Sequence, residues 1–119
     1  MQISVSRHAD TNIHVVTPVG RIDQASADAF LNFIRTLPDR AGPDLPALVL
    51  DFAGVDYIAS VGLRALMVTA RECKSSGGRI AIAALQPMVR EVFSIARFDL
   101  VIACFDSVES AAKELSACK

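Results

Sequence analysis

Apolar and polar residues alternate over two short segments at the start of this chain. Residues 3–7 follow this pattern, and residues 13–19 form a second segment that ends before Gly20. Alternation with a period of two predicts half-buried strands. Because only a short polar link separates the two segments, we expect them to pair as an antiparallel hairpin.

Longer apolar runs follow, and these are typical of strands buried on both faces. Residues 47–52 and 79–84 are nearly continuous apolar runs, and residues 100–104 predict a last short strand. Residues 55–58 continue the chain after a turn at residues 53–54 and are not counted as a separate strand.

Apolar residues spaced i, i+3, i+4 and i+7 predict four helices. The first ends at Pro38, ahead of a proline-rich loop over residues 38–46. The second begins just past Ser60 and stops at residues 75–78, where glycine can supply a left-handed cap. The third has Pro87 in its first turn, where the missing N–H of proline is harmless.

The fourth helix follows Asp106, which is spaced with Glu109 like a capping box in which Asp replaces the usual Ser or Thr. The residues predicted to face inward on the four helices are Phe30, Phe33, Ile34, Leu37, Leu63, Leu66, Met67, Ala70, Cys73, Val89, Val92, Phe93, Ala96, Val108, Ala111, Ala112 and Leu115.

The predicted order of elements is β-β-α-β-α-β-α-β-α. Alternation of buried strands with helices predicts an α/β fold with a mostly parallel mixed sheet and right-handed crossovers. The first strand is the antiparallel exception, and about four helices pack on the sheet. The chain has 119 residues, which predicts a single domain over residues 1–119.

Composition narrows the classes of function. The net charge is −1 and no run of Lys or Arg stands out, which argues against direct binding of nucleic acid. No apolar stretch approaches the ~20 residues of a membrane helix, and the N-terminal residues lack the pattern of a signal peptide. These features predict a cytoplasmic protein without membrane insertion.

Candidate catalytic and metal-binding residues are sparse. The three cysteines, Cys73, Cys104 and Cys118, are too widely spaced for a metal site or a disulfide framework, and Cys73 and Cys104 are expected to be small buried residues. His8 and His14 lie far from Ser60 in sequence, so no Ser-His-Asp set is evident. No phosphate-binding loop of the Gly-x-x-x-x-Gly-Lys-Ser/Thr type occurs either. We therefore expect no metal, no cofactor and no catalysis.

Two segments lie where predicted strands end, which is where sites form in open parallel sheets. One segment is residues 20–23, Gly-Arg-Ile-Asp, and the other is residues 59–62, Ala-Ser-Val-Gly. Taken from the residues alone, Ser60 could cap the second helix and Asp23 the first, since both types favour N-caps. Gly62 could allow close packing of helix on strand. Arg64 could be a surface charge or a partner contact.

These segments resemble the motifs of the STAS domain family. Residues 20–23 look like its Gly-x-Leu-Asp signature, and residues 48–55 resemble its central strand. Residues 58–63, Ile-Ala-Ser-Val-Gly-Leu, resemble the family segment that usually reads Asp-Ser-Ser-Gly-Leu. Residues 77–79 and 87–90 match later landmarks, so the resemblance extends over roughly residues 12–116.

The resemblance implies an anti-sigma factor antagonist controlled by phosphorylation. In such members the unmodified protein binds an anti-sigma factor that is a serine kinase and frees a sigma factor, and a PP2C-type phosphatase resets the phosphorylated form. The phosphorylated serine falls on Ser60, and the loop aspartate expected near it falls on Asp23. The residues expected to bind the partner are Arg21, Asp23, Ser60, Val61, Gly62 and Arg64.

Three positions depart from the family pattern. Ala59 replaces the acid before the phosphorylated serine, Val61 replaces the second serine, and Arg97 ends the third helix where many members carry Gly. The first two departures keep open a different function, a STAS subunit of a larger signalling or lipid-transport complex that is not phosphorylated. A second alternative, a nucleotide-binding domain with slow hydrolase activity, finds little support in the residues.

Overall fold

A computed structural model describes residues 2–7, 13–35, 47–75 and 78–117. Six strands and four helices are present there: β1 (Gln2–Arg7), β2 (Ile13–Ile22), α1 (Gln24–Arg35), β3 (Ala47–Asp51), β4 (Val55–Ile58), α2 (Ser60–Ser75), β5 (Arg79–Ala83), α3 (Pro87–Ile95), β6 (Ala103–Phe105) and α4 (Val108–Ala117). Several predictions lie outside the described residues: the polar link before residue 13, the helix end at Pro38, the loop over residues 38–46, and the positions of His8 and Cys118.

The predicted α/β architecture is confirmed. The sheet runs in the order β1-β2-β3-β5-β6, with β4 pairing β2 away from this path. β1 is antiparallel to β2, as predicted, and every other pairing is parallel. The helices between parallel strands place the carboxyl ends of β2, β3, β4 and β5 along one edge of the sheet.

Two predictions about β2 and β4 were wrong. β2 passes through Gly20 and ends at Ile22, and residues 55–58 are a separate strand that pairs with this second half of β2. The register shifts between Gly20 and Arg21, and Gly20 has a φ of 110° while its N–H donates to the carbonyl of Gly54 at 2.8 Å. Gly20 therefore bends the strand at a bulge, a role for which glycine is suited because it lacks Cβ.

The core has two parts. α1, α2 and α3 contribute Phe30, Leu66 and Phe93 to one cluster, together with strand residues such as Leu50 and Ile82. α4 contributes the second cluster with Ala111, Ala112 and Leu115. The half-buried Cys73 and Cys104 pack against the first cluster, so both side chains contribute to the core without being fully enclosed.

The inner face of α3 is narrower than predicted. Val89 and Phe93 are buried, whereas Val92 and Ala96 are exposed. The nine-residue helix contacts the core through these two buried residues, which are spaced i, i+4 on one face. Val92 and Ala96 lie beside that face and point to solvent.

The last strand and the last helix begin later than predicted. Residues 98–100 form a single 3₁₀ turn, and β6 covers Ala103–Phe105 instead of residues 100–104. α4 is capped by Ser107, whose hydroxyl accepts from the Ser110 N–H at 3.1 Å, while Ser110 Oγ accepts from the Ser107 N–H at 3.3 Å. These two serines form the cap in place of the predicted capping box of Asp106 and Glu109. The Asp106 carboxylate instead pairs with Arg90, with Oδ1 lying 3.2 Å from Nη2.

Replacing Arg97 by glycine is expected to stabilise the protein. Arg97 has φ 57° and ψ 30°, the left-handed conformation that disfavours a Cβ. Relief of this strain exceeds the chain entropy that glycine adds, so we expect a gain of about 0.5 to 1 kcal/mol in the free energy of unfolding, measured by urea denaturation. Ala96 is right-handed, with φ −79°, so Ala96→Gly is the matched control and should be destabilising. Equal effects of the two variants would contradict the prediction.

Candidate functional site

The two segments singled out in the sequence meet at the carboxyl ends of β2 and β4. These strands are parallel neighbours, with Ile22 paired to Ile58. The Ala59 N–H extends the pairing by donating to the Ile22 carbonyl at 2.9 Å. Asp23 and Ser60 therefore leave the same edge of the sheet, one and two residues beyond paired positions.

Ser60 occupies the first position of α2 and does not cap it. The Ala59 carbonyl accepts the first helical bond, from the Leu63 N–H at 3.0 Å, which makes Ala59 the N-cap. The Ser60 side chain is exposed, and among the described residues no hydrogen bond engages its hydroxyl. The interpretation of Ser60 as a capping residue was therefore wrong, and its hydroxyl is available to another molecule beside the positive end of the helix dipole.

Asp23 caps α1, as one of its two interpretations predicted. Its Oδ1 accepts from the N–H groups of Ala25 at 3.1 Å and Ser26 at 3.3 Å. Ser26 Oγ accepts from the Asp23 N–H at 2.9 Å and donates to the Arg21 carbonyl at 2.7 Å. These bonds tie the end of β2 to the start of α1 and hold the Asp23 carboxylate in one orientation.

Gly62 allows α2 to lie directly on the strand ends. It is buried, and a Cβ built there would lie 2.8 Å from the Ile22 carbonyl oxygen and 2.8 Å from carbons of Ile22 and Ile58. The prediction of a close-packing role is confirmed. Because this approach sets the height of the first turn of α2 above the sheet, Gly62 positions Ser60 without being exposed to a partner itself.

Arg21 and Tyr57 form a stacked pair on the paired strands. The Arg21 guanidinium carbon lies 4.3 Å from the centre of the Tyr57 ring, a cation–π arrangement. Sequence reasoning missed Tyr57, since residues 55–58 were taken as a continuation of the chain. The sequence did contain an indication of its role, because Tyr57 is the single tyrosine of the chain and aromatic residues are enriched where proteins bind one another.

The exposed and half-exposed side chains near the paired ends of β2 and β4 and the start of α2 are together called the Ser60 edge. Its members are Arg21, Asp23, Tyr57, Ser60, Val61 and Arg64. Val61 and Arg64 are exposed on the first turns of α2, whereas Gly62, also predicted to bind the partner, is buried. The Ser60 edge offers a hydroxyl, two guanidinium groups and apolar side chains, which are groups suited to protein binding.

In the described ranges, no group of three or more His, Cys, Asp and Glu side chains is arranged to hold a metal ion. Among the described helices, none combines the length and apolar character required to cross a membrane.

Comparison with known proteins identifies the family. The model of the STAS domain matches residues 4–111 of the chain. The chain belongs to the STAS domain family. Over 65 residues it is 38% identical to BtrV of Bordetella bronchiseptica, a protein named as an anti-sigma factor antagonist, and the match covers 55% of this chain and 56% of that protein. The aligned part thus spans about half the length of this relative.

Solved structures of the family share the fold. An anti-sigma factor antagonist from Mycobacterium paratuberculosis superposes with a TM-score of 0.82 at 24% identity, covering 97% of this chain and 93% of that one. The phosphorylated form of the Bacillus cell fate determinant SpoIIAA gives a TM-score of 0.68 at 16% identity, covering 95% and 98%. At these identities the likeness establishes the STAS fold.

Proposed function

We propose that this single STAS domain is a cytoplasmic anti-sigma factor antagonist without enzymatic activity of its own. In its unmodified form it binds an anti-sigma factor that is a serine kinase and thereby releases a sigma factor. Phosphorylation of Ser60 ends that binding, and a PP2C-type phosphatase restores it. The observation that carries the proposal is the exposed, unengaged hydroxyl of Ser60 in the first turn of α2.

The position of Ser60 suits a charge switch. A phosphate carries about −1.5 to −2 charges, and at the first helical residue it meets free backbone N–H groups and the positive end of the dipole. The domain can therefore accept the phosphate without unfolding. The neighbouring Val61 is apolar and half-exposed. A partner that covers Val61 would have to desolvate the new charge, so the complex is weakened while the fold is retained.

The family comparison supports the same function. The relative that shares 38% identity over 65 residues is named as an anti-sigma factor antagonist, and SpoIIAA, which shares the fold, has been solved in a phosphorylated form. Ala59 and Val61 depart from the family segment, but Ala59 is the N-cap residue and its carbonyl serves α2 whatever its side chain. Neither departure removes the hydroxyl that the switch requires.

Ser60→Asp is expected to weaken binding of the kinase by on the order of 100-fold, because a charge is placed in a contact that excludes water. Dissociation constants would be measured by calorimetry against purified serine-kinase anti-sigma factors from the same genome. Ser60→Ala should bind like the wild-type protein but should not accept phosphate from ATP in the presence of the kinase. Ser94→Asp adds the same charge to an exposed serine of α3 and is the matched control.

The alternative function predicts the opposite pattern. If Ser60→Asp binds its partner as tightly as Ser94→Asp, and if mass spectrometry finds no phosphate on the peptide containing Ser60 in cells under several growth conditions, the switch is excluded. The domain would then be a permanent STAS subunit of a larger signalling or transport complex.

A further inference from the structure

Tyr57 and Arg21 stack on each other without a partner. Tyr57 is 43% exposed, and the Arg21 side chain is 62% exposed although one face of its guanidinium lies on the ring. Both residues are anchored by strand pairing, since Arg21 and Tyr57 are register partners in β2 and β4. Stacking restricts the rotamers of both side chains, so less conformational entropy is lost when a partner binds.

The hydrogen-bond donors of Arg21 are available. Its Nε lies 3.8 Å from Asp23 Oδ2, which is too long for a hydrogen bond. Within the described ranges no hydrogen bond engages the guanidinium group, and its contact with Asp23 Oδ2 is a loose, solvent-exposed ion pair, while Asp23 Oδ1 accepts from the N-terminus of α1. A planar guanidinium with an open edge is suited to a carboxylate, which it can bind through two parallel N–H···O bonds.

We infer that Tyr57, held under Arg21, is the specificity-determining contact of the Ser60 edge. The pair receives a segment of the partner that presents a carboxylate to Arg21 and an apolar side chain to the Tyr57 ring. This inference rests on the proposed function, since the partner is the serine-kinase anti-sigma factor. It assigns separate tasks to two residues of the Ser60 edge: Ser60 decides when binding occurs, and Tyr57 decides which kinase is bound.

The location of Tyr57 supports this division. Tyr57 lies three residues before Ser60, Arg21 lies two residues before Asp23, and the pairing of Ile22 with Ile58 holds the two strand ends side by side. Tyr and Arg are the residue types that most often dominate binding energy at protein interfaces. Neither side chain is needed by the core clusters, whose members come from other positions of β2 and β4.

The test compares variants of Tyr57 against the same purified kinases. Tyr57→Ala is expected to weaken binding of the cognate kinase by on the order of 30-fold, as for other interface anchors. Tyr57→Phe keeps the ring and should bind within about threefold of the wild-type protein. Arg21→Glu should bind at least as weakly as Tyr57→Ala, because it repels the carboxylate of the partner. Val5 is 42% exposed on β1 and pairs with Val16, away from the strand ends, so Val5→Ala is the control of matched exposure.

The outcomes separate this inference from the proposed function. Retention of wild-type affinity by Tyr57→Ala, while Ser60→Asp still abolishes binding, would overturn the inference and leave the function standing. Equal losses in Tyr57→Ala and Tyr57→Phe would also overturn it, since the ring would then not be the contact. If the wild-type protein binds none of the kinases, the proposed function fails and the inference fails with it. A thermal unfolding midpoint shared by Tyr57→Ala and Val5→Ala would show that the lost affinity is not lost folding.

Discussion

Gly62→Ala is expected to lower the free energy of unfolding by about 2 kcal/mol and to weaken partner binding together with stability. The added methyl group would lie 2.8 Å from the Ile22 carbonyl oxygen. That oxygen cannot move freely, because it accepts the 2.9 Å bond from the Ala59 N–H that joins the two segments of the site. α2 must therefore shift away from the strand ends, and Ser60 shifts with it. The gain in helix propensity from alanine, about 1 kcal/mol, offsets only part of this strain.

Gly54→Ala provides the matched control for this prediction. A Cβ at Gly54 would lie 3.0 Å from a methyl group of Val19, and Val19 is an exposed side chain that can adjust its rotamer. We expect this variant to remain within about 0.5 kcal/mol of the wild-type protein. Urea denaturation measures both variants. Similar stability of Gly62→Ala and Gly54→Ala would show that α2 can rise from the strand ends without penalty.

Phe93→Ala is expected to lower the free energy of unfolding by about 3 to 5 kcal/mol. Phe93 is 1% exposed and its ring packs edge-on against Phe52 at 6.4 Å and against Phe98 at 5.3 Å between centroids. Truncation leaves a cavity among three elements, namely α3, the end of β3 and the turn at residues 98–100. Since small domains have about 5 to 15 kcal/mol of stability in all, this change removes a large part of it.

The control lies two residues further on the same helix. Ile95 is 77% exposed, so Ile95→Ala removes a side chain of similar chemistry without opening a cavity and should change stability by less than about 0.5 kcal/mol. If Phe93→Ala fails to fold, Phe93→Leu can be used, because leucine fills part of the space. This variant should lower the free energy of unfolding by about 1 to 2 kcal/mol, measured by urea denaturation. If Ile95→Ala lowered the free energy of unfolding as much as the Phe93 variants do, the assignment of the inner face of α3 would be contradicted.

The candidate site could be located from sequence because its residues follow strands. The sequence placed residues 20–23 at the end of the predicted second strand and residues 59–62 between the central strand and the second helix, and the pairing of Ile22 with Ile58 brings these two segments together. The roles of individual side chains were harder to assign. Capping depends on which residue begins the helix, and a difference of one residue moved this role from Ser60 to Ala59 and from Asp106 to Ser107.

Sequence alone determined the α/β class, the antiparallel first strand and the family, because these depend on hydrophobic periodicity and on the order of short motifs. Only the tertiary structure decided that Gly20 bends β2 instead of ending it, that residues 55–58 pair with its second half, and that Arg21 consequently stacks on Tyr57. The physical reason is that the local pattern of apolar and polar residues indicates which residues are buried. Strand register and cross-strand contacts depend instead on residues distant in the chain.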